Sequence, residues 1–179
     1  GVIVVAKTNQ SHKFIADQFK NREVKKEYYG FTWGIWNKKE GVIDEPINRK
    51  KKDPTSFHVS KNGKNSQTNF IVEKEYRHCS LISFFPKTGR THQIRVHSSH
   101  LGCPIFGDEK YGGGKQRTLG FLPEISKFYT KQINQFGRHA LHAKKIQFIH
   151  PKNKKQVVFE APLPKEFKDL LKSFKSFYG

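Results

Sequence analysis

Two hydrophobic rhythms, one of period two and one near 3.6, alternate along the chain, and their order predicts most of its elements. Residues 2–6 are a short apolar run rich in β-branched side chains, which predicts a buried strand. Phe14, Ile15, Gln18 and Phe19 then fall at helical spacing, with Asn9 or Ser11 suited to cap the helix. Residues 24–36 are aromatic and β-prone, so they predict a long strand in which Gly30 and Gly34 mark bends or bulges. Lys38 to Glu40 turns the chain, and Val42-Ile43 begins a strand that stops before Pro46. Asn62-Gly63 predicts a hairpin turn. Residues 67–76 and 79–85 read as paired strands joined at Arg77-His78, and residues 118–136 as a loop followed by a helix. A second hairpin, 141–149 with 156–160, closes around P-K-N-K-K. From Pro164 an amphipathic helix places Phe167, Leu170, Leu171, Phe174 and Tyr178 on one side. Lys165, Lys168, Lys172 and Lys175 line its other side. Strands joined mainly by hairpins, with helices between them, predict an α+β domain on a mixed, largely antiparallel sheet with flanking helices.

One stretch fits this scheme less simply. Residues 87–114 read K-T-G-R-T-H-Q-I-R-V-H-S-S-H-L-G-C-P-I-F-G-D-E-K-Y-G-G-G. Gly89 suits a sharp bend and Thr91 an N-cap, Gly102 a left-handed stop, and Pro104 blocks any restart. At about 100° per residue Ile94, His97 and Leu101 share one face, while Thr91, Arg95 and Ser98 lie on another. Arg95 is therefore expected to point away from the core, either as a solvated charge or as a functional one.

Charge narrows the choice. Lys and Arg number 34 against 15 Asp and Glu, a formal +19, in a chain with sixteen Phe and six Tyr. A bias this large with this aromatic content points to a polyanionic partner, nucleic acid ahead of a membrane surface. No apolar run approaches the roughly 18 residues of a membrane span. The two cysteines, Cys79 and Cys103, exclude a disulfide framework and suit a reducing compartment such as the cytoplasm. His97 with His100, and His139 with His142, lack the thiolates or carboxylates of a zinc set, so no metal site is expected. Gly112-Gly113-Gly114-Lys115 has neither the spacing nor the Ser/Thr of a P-loop. The run Arg49, Lys50, Lys51, Lys52 is either solvated surface or an arm that tracks phosphates.

G-R-T-H-Q-I-R-V-H, followed by L-G-C-P-I-F-G-D-E-K-Y-G-G, resembles the signature of the RluA/RluD family of RNA pseudouridine synthases. G-V-I-V-V-A-K-T at the start, Lys26-Glu27-Tyr28, G-V-I-D-E-P-I-N-R from Gly41 and R-H-A-L-H-A from Arg138 resemble further family segments, in the family's order. The G-V-I-D-E-P-I-N-R segment and the G-D-x-x-Y-G-G ending look most like the branch that modifies large-subunit ribosomal RNA. The resemblance implies an α+β catalytic domain with a central active-site cleft, and isomerisation of uridine to pseudouridine without metal or cofactor. It implies RNA as partner, ribosomal ahead of transfer RNA. By position Arg95 matches the arginine that pairs with the family's nucleophilic aspartate, which attacks either the sugar or the base. Tyr28 matches the tyrosine that stacks on the flipped base and takes the proton from carbon 5, although position alone does not separate it from Tyr29. Leu141 matches the apolar residue lining the pocket, and Arg90 joins Arg49 to Lys52 as an RNA-contact candidate. The family's nucleophile lies in H-R-L-D-x-x-T-S-G, whose final glycine aligns with Gly1. Asp44 and Asp108 fit other family segments and Asp17 lies on the first helix. Residues 1–179 are thus expected to be a catalytic domain lacking its N-terminal part with the aspartate motif, inactive alone. The alternative is a non-catalytic RNA-binding or ribosome-assembly factor on the same fold.

Overall fold

The computed structural model describes residues 1–178. Helix α1 (Asn9–Lys20) leads into strand β1 (Lys25–Trp33), then β2 (Glu40–Asp44), β3 (Ile47–Arg49), β4 (Phe57–Val59), β5 (Gln67–Glu75) and β6 (Cys79–Pro86). Helix α2 (Gln93–His100) and two short 3-10 turns precede α3 (Pro123–Phe136), β7 (Leu141–Ile149), β8 (Gln156–Glu160) and α4 (Lys165–Tyr178). Six strands form one sheet in the order β2-β5-β6-β1-β7-β8, and β3 with β4 makes a small ribbon. Every pairing among the described strands is antiparallel, as hairpin connections favour. The α+β architecture and both predicted hairpins, β5-β6 and β7-β8, are present.

The core lies where β1 meets α3 and α4. Phe31 and Trp33, alternate residues of β1, meet Phe106, Tyr129 and Phe174, with the Phe31 and Phe174 rings 4.7 Å apart. Phe167, Leu170 and Phe174 of α4 are buried on the side that the sequence periodicity selects. Burial of each such side chain is worth about 1.5–3 kcal/mol.

Four local expectations need correction. Residues 2–6 form no regular strand: Val2 bonds Ala143 O, Val2 and Val4 pack on Val24, Ile146 and Phe148, and Ile3 and Val5 stay exposed. The alternation is that of a strand, but only one backbone bond ties the segment to the sheet. The α1 cap is Thr8, whose hydroxyl accepts from Ser11 N–H, rather than Asn9 or Ser11. Asn62-Gly63 makes a turn, but the strands it joins, β4 and β5, belong to different sheets. The close approach of Lys64 to Ile47 is what needs a glycine there, since a Cβ on Gly63 would sit 2.6 Å from the Ile47 carbonyl carbon. Thr91 does not cap α2; His92 holds that position.

Candidate active site

Strand alternation gives β1 two unlike faces. Glu27 and Tyr29 look toward Lys144, whose Nζ donates to Glu27 Oε1 at 2.9 Å and to Tyr29 Oη at 2.8 Å. Lys26 and Tyr28 look the other way, into a cavity of about 540 Å³. Thr88, Arg90, His92, Arg95, His139 and Leu141 also line that cavity. Tyr28, Arg90, Arg95 and Leu141, far apart in sequence, are thereby brought together, and Tyr28 is separated from Tyr29. Arg49 to Lys52 are exposed and line no part of it. They enter a folded loop in which Asp53 accepts from Thr55 and Ser56, ending at Phe57, which packs edge-on against His92.

Gln93 builds the loop ahead of α2. Its Oε1 accepts from Thr88 Oγ1 at 2.7 Å and Arg90 N–H at 2.9 Å, and its Nε2 donates to Gln67 O and Thr68 Oγ1. Gly89 needs no left-handed angle here; His92 takes it instead, at φ 56°. The His92 ring is held by Tyr111 Oη, 2.8 Å from Nδ1. Further along α2, His97 is fully buried, with Nδ1 2.9 Å from Thr68 Oγ1 and Nε2 3.0 Å from the Glu45 carbonyl. Both of its nitrogens are used within the fold.

Arg95 is not the solvated charge of an average helix surface. Its side chain is 13% exposed, and Nε and Nη2 each donate to Asp108 at 2.7 Å, a bidentate pair. The Tyr111 ring lies 4.7 Å from the guanidinium carbon. Nη1 alone has no hydrogen-bond partner among the described residues. The G-D-E-K-Y-G-G segment makes this clamp by folding back tightly. Asp108 O accepts from Tyr111 and Gly113 N–H, and a Cβ on Gly113 would lie 1.9 Å from Ile105 O. The sequence placed Arg95 at the site but not its partner, thirteen positions later and 2% exposed.

A family model described as RNA pseudouridylate synthase matches residues 1–100. The chain belongs to that family. It is 35% identical over 175 residues to the uncharacterized RNA pseudouridine synthase YlyB of Bacillus subtilis, covering 98% of this chain and 52% of that protein. It is also 35% identical over 170 residues to ribosomal large subunit pseudouridine synthase D of Vibrio cholerae, covering 95% and 51%. The chain spans about half the length of the curated relatives it matches. Among solved structures, human RNA pseudouridylate synthase domain containing 1 superposes with a TM-score of 0.69 at 26% identity, over 89% of this chain and 63% of that one. Human RNA pseudouridylate synthase domain containing 4 shares the fold with a TM-score of 0.74 over 98% of this chain and 71% of that one, at 24% identity.

The cavity is cationic. Lys26, Arg90 and Arg95 line it, and no Asp or Glu does. Burial raises the pKa of the Tyr28 phenol, so at neutral pH it presents a protonated O–H and a ring face. Burial lowers the pKa of His92 and His139, and Arg95 lowers both further. These two rings, with Lys26 and Gln93, are lining residues that periodicity did not reveal. The K-x-Y and R-H-A-L-H-A segments were the signals that carried Lys26 and His139.

The histidines also make stability depend on pH. His78, His92, His97, His139 and His142 all sit below the ordinary 6.5, burial being the first cause in each. The unfolded chain therefore binds protons more readily than the folded one as pH falls through 6.5, and stability is lost in that direction. The urea midpoint is expected to fall between pH 7.5 and pH 5.5, and His97→Gln to flatten that slope. An unchanged slope in the variant would remove His97 from the account.

Proposed function

We propose that the full-length protein converts specific uridines in RNA, above all large-subunit ribosomal RNA, to pseudouridine, in the cytoplasm and without metal or cofactor. The observation that carries this reading is the convergence of Tyr28, Arg95 and Leu141 on one cavity that is cationic and has no carboxylate in its lining. The names of the bacterial relatives support the ribosomal substrate.

The reaction breaks the bond between ribose and base, turns the base and rejoins it through carbon, with no net redox change. It needs the uridine out of its stack. Tyr28 offers the everted base an aromatic face, worth about 1–3 kcal/mol against lost stacking, and Leu141 supplies an apolar wall. The covalent step needs a carboxylate that is ionised and fixed in place. Arg95, held on two sides by Asp108 and Tyr111, has one N–H edge left to do this. Asp108 cannot itself attack, because it is buried and both oxygens are already accepting from Arg95. No carboxylate lines the cavity, and the family resemblance implies a nucleophilic aspartate outside residues 1–179, so this chain alone is expected to leave uridine unchanged. Arg90 and the Arg49 to Lys52 loop contact RNA phosphates, Arg90 from the cavity wall and the loop from outside it.

Tritium release from 5-tritiated uridine in large-subunit ribosomal RNA tests the proposal. The full-length protein is expected to release tritium, and residues 1–179 to release none. No release by the full-length protein on ribosomal or transfer RNA would overturn it.

A further inference from the structure

We propose that Lys26, together with Arg90, forms a subsite in the cavity wall for a phosphate of the RNA backbone next to the everted nucleotide. This rests on the reading of the cavity as an RNA site, and it gives a task to Lys26, to which neither the fold nor the reaction has assigned one.

The argument starts from two half-buried lysines near β1 that the protein treats differently. Lys144 is neutralised from within. Its ammonium bonds Glu27 and Tyr29 and lies 4.1 Å from the Tyr29 ring centroid. Burial alone would lower its pKa, yet the bonds to Tyr29 and Glu27 raise it. Lys26 has a single hydrogen bond, from Nζ to the Thr88 carbonyl at 3.2 Å, and pairs with no carboxylate among the described residues. An ammonium has three N–H donors, so two remain free beside the cavity. Burial without a counter-charge lowers its pKa.

Its neighbourhood is open toward an incoming anion. Beyond the Thr88 carbonyl the adjoining wall is Gly89, which has no side chain, and even an added Cβ there would stay 3.8 Å from Nζ. Arg90 follows directly, its backbone fixed by Gln93 and its Nε spent on Asn65 O at 3.2 Å, which leaves its other guanidinium nitrogens free. Arg90 likewise has no acidic partner among the described residues. Two uncompensated cations on one concave wall, in a chain of net charge +19, match a phosphodiester, which brings charge and acceptor oxygens together. Nucleotide eversion carries the base past Tyr28 while the flanking phosphates stay on the strand. A cation two residues before Tyr28 on the same strand face is placed to meet one of them.

The test uses the full-length protein and a twelve-nucleotide oligouridylate, with binding followed by fluorescence anisotropy across salt concentrations. Each phosphate neutralised by a cation contributes about 0.7 to the slope of log affinity against log salt for single strands. Lys26→Met is expected to reduce the slope by about that amount, Lys26→Arg to keep it, and Lys172→Met on the exposed side of α4 to leave it unchanged. A second measurement needs no substitution. Acetylation by a water-soluble succinimide ester, read by mass spectrometry, should mark Lys26 faster than exposed lysines at neutral pH. Oligouridylate should protect Lys26, and uridine nucleoside should not. An unchanged slope in Lys26→Met, or equal protection by the nucleoside, overturns the subsite. Tritium release by the wild-type protein is scored separately. Release with no slope change sinks the subsite alone; a slope change with no release sinks the isomerase reading and leaves the subsite standing.

Discussion

Arg95→Ala in the full-length protein is expected to lower kcat for pseudouridine formation by about a hundred- to a thousandfold, the scale of losing one charge-stabilising donor. Affinity for RNA should change far less, because phosphate contacts at the surface dominate affinity and Arg95 is largely buried. Arg95→Lys should behave nearly as badly. An ammonium cannot engage both oxygens of Asp108 and still present a third, fixed donor, whereas the planar fork does so by geometry. Removing the guanidinium also strands a buried carboxylate, a change worth about 3–5 kcal/mol of stability. The double variant Arg95→Met with Asp108→Leu addresses this, since exchanging a whole buried pair for apolar residues is often neutral. It should melt closer to wild type than Arg95→Ala and still be inactive. Wild-type tritium release from Arg95→Ala would take the arginine out of the chemistry altogether.

The second large effect belongs to a residue that touches no substrate. Asp108→Asn keeps the shape of the side chain but replaces one acceptor oxygen by an N–H pointing at a guanidinium N–H. Arg95 then loses one of its two 2.7 Å bonds and turns about the Tyr111 ring. Displacement of about 1 Å at a reacting group costs roughly a hundredfold. The expectation is a fall of that size in kcat with KM nearly unchanged, and partial recovery in Asp108→Glu. A rise in KM with kcat intact would instead show that Asp108 serves RNA binding.

The elements that sequence alone made legible were those whose pattern is local. The β5-β6 and β7-β8 hairpins and α4 follow from alternation, turn residues and a helical stripe, all within a few positions. What escaped depends on partners distant in the chain. The Arg95 clamp needs a backbone that doubles back before Asp108 becomes a neighbour. His92 adopts a left-handed angle because Tyr111 and Phe57 hold its ring, while its own residue type gives only a weak hint. Residues 2–6 show strand-like alternation without a strand, because side-chain rhythm does not guarantee hydrogen-bonded neighbours. The catalytic candidates were found by motif, and the structure adds that Tyr28 lines the cavity while Tyr29, one position on, bonds Lys144 instead.

Because β1 gives its even-numbered residues 26 and 28 to the cavity and its odd-numbered residues 31 and 33 to the aromatic core, its alignment is shared property. A one-residue insertion or deletion within the strand would swap Phe31 and Trp33 with their neighbours on the other face, undoing the cavity and the core in one stroke. Attempts to reshape this cavity should therefore exchange side chains at a constant strand length.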